Sequence, residues 1–446
     1  MIYKNLFSAR VLAVLISLSF TLYGQNFNPP DWSYDKAIYE VNIRQYTQEG
    51  TFKAFEQHLP KLKELGADIL WLMPINPIGE KNRKGTLGSY YSVRNYTEVN
   101  PEFGTTEDFK ELVKMIHEMG MYVIVDWVAN HSAWDNAWIT EHPEYYTKDS
   151  MGNIISPNKD WIDVADLNYD NKELWNEMIN SMKFWVEEFN IDGFRCDVAG
   201  MVPIDFWIEA RTELEKTKKL FMLAENDTPE IHLAFDMTYD WGLYNILNSI
   251  VEGDKNVKNL VKHIEHDQQY FPPNAFRMQF TSNHDKDIED GTVFERLGDG
   301  TEACVVLTCM VPGMPLVYTG QEAGNTKSFA FFEKDPVEWK DYGLFQIYSK
   351  LFRLKKDNKV LYNGDRGGKI IFLESSNSKN IFAFTRSSDQ DKVFCVFNLS
   401  DQLIEFELKG ESLQGAYKNY FTGQLETFKS VESFSLNPWE YRIYIK

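Results

Sequence analysis

Eight short, continuously apolar runs recur along this chain, most of them separated by stretches with helical periodicity, and that alternation limits the fold more than any other feature. The runs lie at 37–46, 68–74, 122–128, 191–198, 220–226, 234–240, 276–283 and 314–319. Between the first two, Phe52, Phe55, Leu59, Leu62 and Leu65 mark a helix closed by Gly66, with a kink expected at Pro60. After the second, Phe109, Leu112, Val113, Ile116 and Met119 share one helical face. Glu107 and Asp108 sit in that helix's first turn, and Gly120 follows its end. Further helices are expected around 171–189, 204–217, 243–266, 301–310 and 342–357. Runs apolar at nearly every position describe parallel strands buried on both faces. Eight such repeats close into a (β/α)8 TIM barrel, whose chemistry sits at the C-terminal ends of the strands. An open doubly wound sheet is the alternative, but no glycine-rich phosphate loop follows the first run.

Two stretches break the alternation. Residues 132–170 are polar, rich in Trp, Asp, Asn and Pro, and too long for an ordinary βα loop. They read as a small inserted domain, called B, after the third strand. From 361 the pattern turns to short strands separated by Asn, Asp, Ser and Gly, as in KIIFLES, NIFAFTR and DKVFCVFNLS, which predicts a C-terminal antiparallel β-sandwich over 361–446. The barrel would then occupy 25–131 and 171–360.

Four acids stand where apolar runs stop: Asp126 in VIVDWVANH, Asp197 in IDGFRCDVAG, Glu225 in LFMLAEN and Asp285 in FTSNHD. A carboxylate there is costly to desolvate unless a site uses it. Retaining glycoside hydrolysis needs an ionised nucleophile and a second carboxylic acid with a raised pKa, about 5–5.5 Å apart. Asp197 and Glu225 end adjacent expected strands and suit that pair. Arg195 shares the face of Asp197 by the two-residue period and would hold it ionised. His131 and His284 add donors suited to sugar hydroxyls.

These segments resemble the conserved regions of the α-amylase family, glycoside hydrolase family 13. DWVANH (126–131) is similar to the first region, GFRCD (193–197) to the second, LAEN (223–226) to the third and NHD (283–285) to the fourth. ADLN (165–168), the stretch 90–105 and GMPLVYTGQE (313–322) match weaker regions, so the resemblance covers nearly everything from 37 onward. It implies Asp197 as nucleophile, Glu225 as general acid and base, and Asp285 as transition-state stabiliser. It implies Arg195 orienting Asp197, His131, His284 and Tyr91 contacting the −1 sugar, and Asp126 as structural support for Arg195. Tyr90 beside Tyr91 competes for the stacking role. No cofactor is implied for the chemistry. A structural calcium is an open possibility, with Asn130, Asp163 and Asp166 as its oxygen ligands, against plain hydrogen-bonded turn residues.

The implied activity is hydrolysis of α-1,4 bonds in starch-like α-glucans and malto-oligosaccharides. Cyclomaltodextrinase or neopullulanase action, α-glucosidase action, transglycosylation and non-catalytic glucan binding stand as alternatives. Val198 and Ala199 after the nucleophile look more like neopullulanases than liquefying amylases, whereas Lys286–Asp287 replaces the Glu–Asn common in relatives. A net charge of −20 excludes a nucleic-acid partner. Lys4, Arg10, the apolar stretch 11–22 and Gly24 read as an export signal over 1–24, and no other stretch is long enough to span a membrane. Export to the periplasm or medium is therefore expected, with no membrane insertion after cleavage. Cys196, Cys304, Cys309 and Cys395 read as small core residues. The sequence does not fix an oligomeric state.

Overall fold

The structure is a computed structural model describing residues 27–340, 343–388 and 391–446; the expected export signal, 1–24, lies outside the described residues. The first ten strands are β1 (Ile38–Val41), β2 (Ile69–Leu72), β3 (Tyr122–Trp127), β4 (His131–Ala133), β5 (Val164–Asp166), β6 (Gly193–Cys196), β7 (Phe221–Ala224), β8 (Met237–Tyr239), β9 (Phe276–Gln279) and β10 (Met314–Tyr318). Eight of them form a closed parallel barrel in the order β1-β2-β3-β6-β7-β8-β9-β10, and all eight expected runs are its staves.

Alternation within each strand splits the core in two. Ile38, Ile69, Ile124, Phe221, Met278 and Leu316 fill the barrel interior, while Tyr39, Leu70, Val123, Val125, Met222 and Val317 face the helices. Each such side chain contributes about 1.5–3 kcal/mol by leaving water. The helix Lys172–Phe189 shows the outer packing: Leu174, Met178, Met182, Trp185 and Phe189 lie on its buried face. Gly193 opens β6 because a Cβ there would fall 1.8 Å from the Phe221 carbonyl oxygen. That close approach draws β6 against β7, whose ends carry Asp197 and Glu225.

Some boundaries differ from expectation. The first run is a strand only to Val41; the Asn42 side chain then accepts from the Gln45 backbone N–H and caps a helical turn, Ile43–Tyr46. Pro60 does not kink one helix. The helix ends at Glu56 and a second, Leu59–Leu65, starts with Pro60 in its first turn, where a missing N–H is harmless. The expected helix 243–266 is two helices, Trp241–Val251 and Val257–Tyr270, the second begun by an Asn256 capping box.

The insertion after β3 is built on a two-stranded ribbon, β4 with β5, which starts at His131. The C-terminal part comprises β11 (Lys369–Phe372), β12 (Glu374–Ser375), β13 (Ile381–Ser387), β14 (Lys392–Asn398), β15 (Ile404–Lys409), β16 (Gly415–Asn419), β17 (Leu425–Phe428), β18 (Val431–Leu436) and β19 (Tyr441–Ile445). A six-stranded sheet, β11-β13-β14-β19-β16-β17, and a three-stranded one, β12-β15-β18, bury Phe394, Phe406, Phe428, Phe434 and Tyr444 as one core. Arg386 of β13 ties this part to the barrel, donating to the carbonyl of Met310 at 3.0 Å. All four cysteines are free and buried.

Candidate active site

The top layer of the barrel interior is polar where the layers below are apolar. Arg195, fully buried on β6, stands at its centre. Its Nη1 donates to Asp126 Oδ1 and to Asp197 Oδ1, each at 2.9 Å, and Nη2 lies 3.0 Å from Glu225 Oε2. Its Nε donates to the Tyr239 hydroxyl at 3.2 Å. The structure thus gathers Asp126, Asp197 and Glu225 on one guanidinium, as Asp197 and Glu225 each follow their strand by one residue. Burial alone would depress the Arg195 pKa, but Asp126 and Glu225 carry it well above the usual guanidinium value. For Asp197, burial first and the Glu225 charge second raise the pKa well above the ordinary carboxylate value, against the pull of Arg195.

The local backbone matters as much as the side chains. Val198 has φ +36° and ψ +45°, a left-handed conformation that a β-branched residue enters only under constraint. This turn aims the Val198 N–H at Glu225 Oε2, 2.7 Å away. The end of β6 therefore holds the side chain at the end of β7.

Asp285 arrives differently, in the first turn of the short helix His284–Glu289, where the Asn283 side chain accepts from the Lys286 N–H. Burial works against its ionisation, yet His284 beside it lowers its pKa to about 2. His284 Nε2 lies 3.2 Å from Asp285 Oδ1 and 2.7 Å from the Tyr91 hydroxyl, which also donates to Asp126 Oδ2 at 3.1 Å. The Tyr91 ring stacks on His284 and lies parallel to Phe331. Tyr90, by contrast, is buried with its hydroxyl on Asn42 Oδ1 and Arg44 over its ring, so the competing tyrosine faces away from the acids. His131 is buried, with Trp161 of the insertion 5.5 Å from its ring, and burial lowers its pKa to about 4, leaving it neutral at pH 7.

Sequence reasoning missed four contributors. Trp71 donates to Asp126 Oδ2 at 3.1 Å and lies under Arg195; Tyr239 holds Arg195 Nε; the Val198 N–H holds Glu225. The fourth, Glu40, is fully buried on β1 against His284. A lone acid inside the apolar run IYEV was the signal that pointed to it.

The three candidate calcium ligands do not all come together: Asp166 lies one position from Asn130, but Asp163 does not. In the ribbon register His131 faces Asp166 and Ala133 faces Val164, so Asn130 and Asp163 lie four positions apart, about 13 Å along the strands. Asp163 already has a cation, Lys84 Nζ at 3.0 Å. The three residues together do not form one donor set for an ion that needs six to eight oxygens at about 2.4 Å; Asn130 and Asp166 are the two that register brings together.

Residues 22–163 and 158–342 match the family model described as alpha amylase, catalytic domain, and residues 370–443 match that of the maltogenic amylase C-terminal domain. A noncanonic maltogenic α-amylase from Thermotoga neapolitana is 31% identical, with a TM-score of 0.85 over 92% of this chain and 98% of that one. An α-amylase from Lactobacillus plantarum is also 31% identical, with a TM-score of 0.83 over 92% and 99%. A maltogenic α-amylase from Bacillus acidopullulyticus is 26% identical over 94% of this chain and 74% of its own length. With the catalytic model spanning well over half its length, the chain belongs to the α-amylase family of enzymes, glycoside hydrolases and transglycosylases acting on α-glucans.

Proposed function

We propose that this chain is an exported retaining hydrolase of α-1,4 bonds in starch-like α-glucans and malto-oligosaccharides, working by double displacement. The observation that carries this reading is the shared guanidinium: Arg195 binds Asp197 and Glu225 together at the ends of adjacent strands. Asp197 attacks the anomeric carbon while Glu225 protonates the departing oxygen. A covalent glycosyl-enzyme forms, and Glu225 then takes a proton from the water that hydrolyses it. Burial and the neighbouring Glu225 raise the Asp197 pKa in the free enzyme, and Arg195 opposes them in favour of the ionised nucleophile. Asp285, ionised and half-exposed beside the cleft, supports positive charge on the distorted sugar. His131, His284 and the Tyr91 ring face the same sugar, with Asp126 and Trp71 supporting Arg195.

No cofactor enters these steps. The apolar stretch 11–22 with its basic flank supports export to the periplasm or medium; among the described residues no helix is long and apolar enough to cross a membrane.

Release of maltose, rather than random internal cleavage, is a second reading. It is favoured by the C-terminal match and by the 31% identical maltogenic neighbour. The test is the product profile of the wild-type enzyme on maltoheptaose, cyclodextrin, pullulan and panose, with the anomer of the first product read by proton NMR. An α-anomer from maltoheptaose is expected; a β-anomer, or no reducing sugar at all, overturns the proposal. Maltose as the sole early product selects the second reading.

A further inference from the structure

Each ring nitrogen of His284 faces a carboxylate. Its Nδ1 meets Glu40 Oε1, and its Nε2 faces both Asp285 Oδ1 and the Tyr91 oxygen. Ionised carboxylates only accept, and the Tyr91 hydroxyl has a second acceptor in Asp126 Oδ2, 3.1 Å away. With the phenol proton on Asp126 both ring nitrogens donate, which makes the ring an imidazolium; with that proton on Nε2 the ring is neutral and Nε2 turns its lone pair toward Asp285. A neutral ring would leave a lone pair facing either Glu40 or Asp285. His284 and Glu40 are both almost wholly shielded from water, and Glu40 Oε2 has no hydrogen-bond partner. No part of the reaction described above uses Glu40.

We infer that Glu40 is a positioning residue: it keeps His284 cationic, and the cation in turn orients Asp285 and Tyr91 toward the reacting sugar. Glu40 reaches the site from β1, on the far side of the imidazole from the cleft, so it touches no substrate. It gives the pocket a second fixed positive charge besides Arg195, placed beside Asp285, which Arg195 does not contact directly. The other charged groups around the pair are Asp285 on the imidazole's own helix, Asp126 on β3, Arg195 on β6 and Asp287 one turn onward. The phenols of Tyr91, Tyr239 and Tyr318 complete the surroundings. Burial would push His284 toward neutrality, but Asp285 and Glu40 raise its pKa well above the usual value. For Glu40 burial outweighs the opposing pull of His284 and leaves its pKa raised.

This inference rests on the proposed role of Asp285, and two variants separate the two claims. Asp285→Asn tests the role itself: near-normal turnover removes it. Glu40→Gln tests the inference, because glutamine still accepts from Nδ1 but withdraws the charge that holds the second proton. The alkaline limb of the kcat/KM profile on maltoheptaose is expected to move at least one pH unit lower. At the optimum kcat should fall about tenfold with KM nearly unchanged, and Glu40→Asp should restore part of the limb. A Glu40→Gln profile that superimposes on wild type, or one scaled down equally at every pH, overturns the inference. If Glu40→Gln does not fold, wild-type protein labelled with ¹⁵N-histidine decides. One imidazole keeping both N–H signals at pH 8 is expected, and its absence overturns the inference.

Discussion

Replacing Asp197 by Asn should abolish hydrolysis and make the protein more stable. Asp126 and Asp197 accept from the same guanidinium nitrogen at 2.9 Å each, so their oxygens lie within about 6 Å. At an effective dielectric near 20, two charges at that distance repel by about 3 kcal/mol. Glu225, on the neighbouring guanidinium nitrogen at 3.0 Å, adds a repulsion of similar size. The attraction of Arg195 for Asp197 is worth about 6 kcal/mol on the same scale. The charge terms nearly cancel, and the desolvation of a buried carboxylate is left over. Asparagine still accepts from Nη1 and carries no charge, so D197N should gain about 1–3 kcal/mol at pH 7.

The sign with pH follows from the raised pKa of Asp197. Its protonated form stabilises the fold at low pH, and that contribution is lost as pH rises through the folded value. The advantage of asparagine is therefore full above that value and shrinks through the window down to the unfolded value of about 3.9, below which it is absent. At this chain length 1 kcal/mol moves Tm by about 1–2 °C. Differential scanning fluorimetry of both proteins from pH 4 to pH 8 should show a gain of about 2–4 °C at pH 8 that closes toward pH 4. A lower Tm for D197N, or a gain equal at every pH, would refute the reasoning.

Glu225→Gln should cut turnover of malto-oligosaccharides by about 10²–10⁴-fold, while maltosyl fluoride, whose leaving group needs no proton, keeps a fast first step; equal loss on both substrates contradicts the acid role. Excess EDTA should leave Tm and rate unchanged, because Asp163 is neutralised by Lys84 and lies away from Asn130 and Asp166. Lys84→Met should lower Tm instead, as it unpairs the buried Asp163 at a cost of about 1–3 kcal/mol; a chelator-induced drop in Tm would show that an ion binds after all. Arg211, buried behind the barrel, donates to Asp236 Oδ1 at 2.9 Å and to the Ala234 carbonyl. Arg211→Met should therefore destabilise by about 3–5 kcal/mol with kcat unchanged below the melting range, and a fall in kcat at 25 °C would contradict that separation.

The barrel was legible because eight apolar runs leave few other ways to bury both faces of a sheet, and strand ends then fix where acids meet. Asp126, Asp197 and Glu225 were found by that rule. Asp285 was found at the end of its run as well, although the structure places it beyond β9, in a helical turn. Glu40 and Trp71 escaped because an acid and a Trp inside apolar strands look like ordinary core until closure of the barrel turns them inward. The calcium reading lost Asp163 on register: Asn130, Asp163 and Asp166 have the right chemistry, but only the pairing of β4 with β5 shows that Asp166 lies beside Asn130 and Asp163 at the other end of the ribbon. The helix boundary at Asn256 was set by a capping box and that at Pro60 by a proline in the first turn, local devices that are invisible to a longer periodic pattern.

The left-handed turn at Val198 has a bearing on how such an enzyme diversifies. Glu225 is held there by a main-chain N–H, so the contact survives exchange of the side chain beside the nucleophile. Any residue except proline can supply that donor, and Asn or Gly would enter the left-handed region with less strain. Position 198 borders the chemistry without performing it, which leaves its side chain open to selection on substrate fit alone. A saturation library at this one codon should then yield variants that differ in preferred glucan while sharing one acid/base pH profile.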